Sequence, residues 1–375
     1  MPMTPNDPAL QILIDRIRAA SAAGAQLRIR GDGSKDFYGE TPQGELLDTR
    51  VLEGIASYEP TELVVTARCG TSLAELEATL AEKGQCLPFE PPHFTSRAPA
   101  GEAGTVGGMV AAGLSGPSRA AVGSVRDHLL GATLLNGKGE VLTCGGQVMK
   151  NVAGYDVSRL LAGSMGTLGV IAEVSLKVMP IAAATATLRF AMDQATALRQ
   201  LNVWGGLPLP INASAWWDGV LVLRLRGAAA AVEAAQASMT PLGGEAIESD
   251  LADSFWSGLR DHRDEYFGAA HAALGSGASL WRLSMPQTAP AVDLPGQTLI
   301  EWGGAQRWLA GDAPAAAIRD AAAAAGGHAT LFRGIDKSAG VFAPLKSPLD
   351  RIHRDLKRSF DPAGVFNPGR LYPNL

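Results

Sequence analysis

Three short glycine-rich stretches hold the residues whose types and spacing could do chemistry. "RGDGSK", Arg30 to Lys35, sets two glycines between two cations. Glycines leave backbone N–H groups unshielded, and a run of them beside an arginine makes a concave nest for an anion, above all a phosphate. "AGTVGGM", 103 to 109, opens a helical pattern, so the amides of Gly104, Thr105, Gly107 and Gly108 are disposed toward a phosphate or the polar edge of a ring. Two such loops, each expected to follow a short strand, suit a ligand with a pyrophosphate. Either loop alone reads equally well as a surface turn.

The third stretch, "GSMGTLGVI", has glycines at 163, 166 and 169. With Ala162 it resembles a nucleophile elbow around Ser164, which needs a strand before the serine and a helix after it. Here the helix-like "VSRLLAG" precedes and the β-branched "TLGVIAEVSLKV" follows, and no histidine or acid stands at a recognisable offset. A serine hydrolase is therefore set aside. The Rossmann fingerprint G-x-G-x-x-G also fails, because Asp36 stands where a third glycine belongs after Gly31 and Gly33. His93, His128, His262, His271, His328 and His353 form no H-x-H or H-E-x-x-H pair, which predicts no protein-bound metal.

Such loops need strands and helices to hold them. Leu10, Leu13, Ile14 and Ile17 recur at helical spacing within 8–23, and "LRIR" at 27–30 reads as a strand running into the first loop. "ELVVTA" at 62–67 is a second strand, followed by a helix over 71–84 with Ser72 and Glu75 as a capping box and Gly84 as the stop. A short buried helix is expected at 107–114, and a hairpin at Asn136 to Gly139. After Pro180 the texture changes: five of the seven tryptophans fall between 204 and 281, an alternating run "WWDGVLVLRLRG" spans 216–227, and alanine-rich helices lie near 228–239 and 312–325. The expected domains are 1–180 (subdomains about 1–60 and 61–180), 181–340, and a segment 341–375 that packs back on the first domain.

The whole chain, at 375 residues, accommodates two or three subdomains. A net charge of −5 without a basic cluster excludes nucleic-acid and anionic-membrane partners. Cys69, Cys86 and Cys144 are odd in number and far apart, fitting neither a disulfide framework nor an iron–sulfur cluster, and point to a reducing compartment. No basic leader and no run of about 18 apolar residues occurs, so a cytoplasmic location is expected, with membrane attachment only through a partner.

Taken together, "RGDGSK", "GTVGG", the block 123–180 and the closing "FDPAGVFNPGRL" resemble the FAD-linked oxidases of the vanillyl-alcohol-oxidase type. Within them the chain is most similar to the smaller FAD-binding subunits of bacterial glycolate oxidases. The likeness is dense over 62–180, includes "LPFEPPHF", and returns at 349–373. It implies an α+β fold: a PCMH-type two-subdomain FAD-binding domain, the flavin stretched between its subdomains, and an α+β cap domain over the ring. Carried over by motif, Arg30, Gly31, Asp32, Gly33 and Ser34 form the first phosphate loop, Pro88 the turn beside the flavin, and Gly104, Thr105, Gly107 and Gly108 the second loop. Gly169, Val170 and Ile171 match the segment whose backbone approaches the adenosine end. The FAD is expected to be non-covalent, since the first loop has no histidine or cysteine.

Two departures stand out. Asp32 replaces a glycine and sets a carboxylate near a phosphate. The cap stretch G-D-G-N of relatives that oxidise 2-hydroxy acids is missing, with only "GGHATLFRG" at 326–334 in its place. The resemblance therefore implies an accessory FAD subunit of a complex oxidising glycolate to glyoxylate, beside a larger FAD-binding subunit and an iron–sulfur subunit. Two other readings stay open. One is a self-sufficient glycolate or D-lactate dehydrogenase using His328 as base and Arg333 on the carboxylate; the other is a flavin-free scaffold, which Asp32 would permit.

Overall fold

The computed structural model describes residues 7–94, 104–146 and 156–375. The short strand expected before Thr105, and the first part of the 147–157 stretch before Ser158, lie outside them.

The apolar stripe Leu10, Leu13, Ile14 and Ile17 forms the buried face of the helix Pro8–Ala23. Asp7 caps it, its carboxylate accepting from the N–H groups of Ala9 and Leu10 at 3.0 and 3.3 Å, and Gly24 ends it at φ +64°. That face packs on Leu27 and Leu47, from the parallel strand pair Leu27–Arg30 and Glu45–Asp48, and on Val365 and Phe366 from the far end of the chain. Burying each such side chain stabilises the fold by about 1.5–3 kcal/mol.

Beside this layer lies a five-stranded antiparallel sheet in the order Ile55–Glu59, Val64–Arg68, Val170–Lys177, Leu129–Leu135, Val141–Gly145. The last two strands form the hairpin expected at 136–139. The helices Leu73–Ala81 and Val106–Ala112 cover one face through Leu73, Leu76, Leu80, Val106, Met109 and Val110. Ser72 does stand at the start of its helix, but its side chain makes no capping bond, so the capping box is corrected. The backbone explains this: Ser72 bridges Thr105, and the Leu73 N–H donates to Gly104 O at 2.9 Å, so the second glycine loop caps this helix. The helix-like run at 157–163 is a single 3-10 turn, Ser158–Leu160, ended by Gly163 at φ +83°.

A second set of elements forms one eight-stranded antiparallel sheet. The run at 216–227 is part of a hairpin, Ile211–Trp217 and Val220–Gly227, turning at Asp218 and Gly219, both at positive φ. Helices Gln194–Gly205 and Ala229–Met239 pack on it through a core of Leu188, Phe190, Leu201, Trp204 and Leu223.

The chain divides into two compact units: 1–114, 124–180 and 344–375 make one, and 115–123 with 181–343 the other. The segment 115–123 thus falls inside the first expected domain in sequence but belongs to the second unit. Trp302 holds it there, donating from Nε1 to Gly116 O at 3.0 Å with the Arg119 guanidinium 4.5 Å above its ring.

Candidate cofactor site

The strand Leu27–Arg30 ends on Arg30 and delivers the chain into the first glycine loop. Gly33 turns at φ +83°, and a Cβ there would overlap the Arg30 guanidinium, so the arginine lies flat over the loop. Arg30 Nε pairs with Asp36 Oδ2 at 2.9 Å, which fixes its direction. The N–H groups of Asp32, Gly33 and Ser34 make no hydrogen bond among the described residues. They lie in the loop where the sequence places the anion nest.

The second loop meets the first. A Cβ on Gly31 would overlap Thr105 Oγ1, and one on Gly104 would stand 2.7 Å from Ser34 Oγ, so each loop is glycine where the other touches it. Thr105 caps the helix Val106–Ala112, its Oγ1 accepting from Gly108 N at 3.2 Å. The N–H of Gly107 donates to Cys69 O at 2.8 Å, and a Cβ on Gly107 would lie 2.7 Å from Cys69 Cβ. Gly107 and Gly108 thus spend their amides on the protein, and their smallness serves close packing.

Between the loops opens a cavity of about 90 Å³, several times what one water needs. Arg30 to Ser34, Thr105 and Gly108 line it. Pro88, Gly169, Val170 and Ile171 do not. Val170 and Ile171 are core side chains, and Gly169, at φ +152°, lets the strand Val170–Lys177 start hard against Leu135 O.

Lys35, the second cation of the "RGDGSK" stretch, also lines the cavity, and so do residues to which sequence reasoning assigns no role there, among them Arg28, Met165, Asn367 and Arg370. Asn367 Oδ1 accepts from Ile29 N and its Nδ2 donates to Met165 O, both at 2.7 Å, which ties the end of the chain to the first strand and to the "GSMG" turn. Met165, at φ +53°, donates from its N–H to Ala111 O at 2.9 Å. Arg370 donates to the carbonyls of Lys35 and Asp36 at 3.3 and 3.2 Å and to that of Glu40. Burial holds its guanidinium down to about 10, opposed by Asp36 and Glu40. Burial likewise lowers Lys35 to about 8, opposed by the Asp32 carboxylate. Asp32 Oδ2 and Arg28 Nε are buried and make no hydrogen bond among the described residues. Idle amides, clustered cations and the orphaned Arg28 Nε in a small cavity fit a diphosphate, while the buried Asp32 carboxylate opposes one.

Ser164 is buried, with Oγ accepting only a long bond from Gly166 N at 3.4 Å, so it is a turn residue. His328 and Arg333 open and close a single strand, their backbones roughly 16 Å apart at the usual rise, and their charged neighbours differ: Arg282 acts on His328, while Arg333 acts on His262 and His271.

The pattern of the FAD binding domain family matches residues 10–145, which include both glycine loops, and this places the chain among FAD-binding proteins. Over 365 residues it is 46% identical to glycolate oxidase subunit GlcE of Escherichia coli K12, covering 97% of this chain and 98% of that one. The chain belongs to that family of FAD-linked oxidase subunits. It is also 28% identical over 153 residues to glycolate oxidase subunit GlcD of Bacillus subtilis, 40% of this chain and 31% of that one. Among solved structures, alkyldihydroxyacetonephosphate synthase shares the fold, with a TM-score of 0.66 at 16% identity, covering 96% of this chain and 75% of that chain.

Proposed function

We propose that this chain is an FAD-carrying subunit of a complex that oxidises glycolate to glyoxylate, accessory to a larger FAD-binding subunit that handles the substrate and an iron–sulfur subunit that takes the electrons onward. The observation that carries the reading is the 46% identity to a glycolate oxidase subunit across nearly the whole of both chains. FAD supplies the hydride acceptor in such chemistry. The residues of this chain hold it: amides of Asp32, Gly33 and Ser34 and the Arg30 guanidinium meet the diphosphate, while Asn367 and Arg370 close the wall behind them. The unit of 1–114, 124–180 and 344–375 is the FAD-binding part, and 115–123 with 181–343 the cap.

The separation of His328 and Arg333 along one strand favours the accessory role over self-sufficient oxidation of a 2-hydroxy acid. No helix among the described residues is long and apolar enough to cross a membrane.

Purification of the chain alone is expected to yield a yellow protein whose flavin does not bleach anaerobically with glycolate until the larger subunit is added. A colourless protein that takes up no FAD would overturn the reading. Bleaching by glycolate without a partner would replace it with the self-sufficient enzyme.

A further inference from the structure

Lys35 and Asp32 do more than border the cavity. The Lys35 ammonium lies where the glycine loops meet: a Cβ on Gly104 would come within 3.0 Å of Nζ. Nζ stands 3.4 Å from Ser34 Oγ and 5.9 Å from the centre of the Phe94 ring. Among the described residues its company is thus one hydroxyl and a ring face, with the Asp32 carboxylate as the charge acting on it. Asp32 replaces a small residue at a point where a carboxylate repels phosphate, and its buried Oδ2 makes no hydrogen bond among the described residues. An acid in such a place needs a role.

We propose that Lys35 is a proton-linked phosphate ligand: with the cavity empty its charge is shared with Asp32, and on entry of a diphosphate the ammonium turns to the phosphate oxygens. Where the amine was neutral, it takes one proton from solvent as the ligand binds. This rests on reading the cavity as the seat of the FAD diphosphate. Among the described residues the other charged groups lining the cavity are the Arg30–Asp36 pair, Arg28 and Arg370. Ser34, Gly104 and Phe94, which touch the amine, bring no charge. Arg370 titrates near 10 and Lys35 near 8, so the lysine is the group that changes charge just above neutrality. Asp32 raises the proton affinity of Lys35, opposing the burial that lowers it.

The sign follows from linkage. A bound diphosphate raises the proton affinity of Lys35, so FAD affinity is level below about pH 8 and falls as pH rises, by up to tenfold per unit. The test is titration of the apoprotein with FAD between about pH 6.5 and 9.5, followed by flavin fluorescence, with calorimetry in buffers of different ionisation enthalpy to count protons. Wild type is expected to take up close to one proton per FAD near pH 9. Lys35→Arg, charged throughout, keeps affinity and flattens the profile. Lys35→Met flattens it too and weakens binding roughly ten- to a hundredfold, the worth of one charge-assisted hydrogen bond. Asp32→Asn moves the onset of the fall to lower pH. Wild-type affinity and slope in Lys35→Met, or undiminished proton uptake in Lys35→Arg, would overturn the inference; an onset unmoved in Asp32→Asn would remove Asp32 from it. A wild-type chain that binds no FAD at any pH defeats the proposed function itself, a result distinct from FAD bound without proton linkage.

Discussion

Asn367 sits at φ +42°, a backbone region that asparagine tolerates better than most residues, and from there its amide spans two segments of chain. Asn367→Ala strands the Ile29 N–H and the Met165 carbonyl and leaves a β-carbon in left-handed backbone. The expected cost is about 2–4 kcal/mol in a denaturant titration, with FAD retained poorly because the wall carrying Met165 and Arg370 loosens. An unchanged midpoint would show that water replaces both bonds. Gly107→Ala forces a methyl against Cys69 and should cost about 1–3 kcal/mol, read as a lower Tm; a rise in Tm would mean the loop gives way freely. The loops were legible in the sequence because a glycine's task is local and shows in its own neighbourhood. Asn367 and Arg370 were not. Their partners lie hundreds of residues off, or depend on which wall of a cavity a side chain meets, and spacing encodes neither.

Among the elements, the helix Leu349–Phe360 is held by one buried lysine. Lys357 Nζ donates to Thr167 O and Phe366 O at 2.8 Å and to Asp361 Oδ2 at 2.6 Å, while Asp361 accepts from the N–H groups of Val365 and Phe366 at 2.9 and 2.8 Å. Lys357→Met leaves the Asp361 charge buried without its counter-charge, which costs about 3–5 kcal/mol; urea denaturation should show it, and a loss below about 1 kcal/mol would mean the two backbone donors suffice. Helices and strands set by apolar periodicity, such as Pro8–Ala23 and Val170–Lys177, were readable. The capping box at Ser72 was not, because Thr105 and Gly104 took over the exposed backbone of that turn. A side chain reaching back to a helix start is found instead at Ser124, where the Asp127 carboxylate accepts from both the backbone N–H at 2.8 Å and the hydroxyl at 2.9 Å.

Across the whole molecule, ligand binding should register as stability. FAD at a hundredfold its Kd adds about 2.7 kcal/mol to unfolding, so a calorimetric scan should move up by several degrees on loading; an unmoved trace would place the flavin on a site that unfolding leaves intact. The change of texture at Pro180 made the second unit visible, but nothing in the composition of 115–123 betrayed its allegiance to that unit, since Trp302 and Arg119 meet only after folding. Asn367 and Ile29 are 338 residues apart, and at about 5–20 residues per second roughly 17 to 70 s of synthesis separate them. Throughout that interval the nascent chain lacks Asn367 and Arg370, which line one wall of the cavity in the folded chain. If the cavity holds FAD as proposed, capture of the cofactor waits until translation has run almost to residue 370, and a chain truncated before Asn367 is expected to retain no FAD on purification; a yellow truncated chain would show that this wall is dispensable.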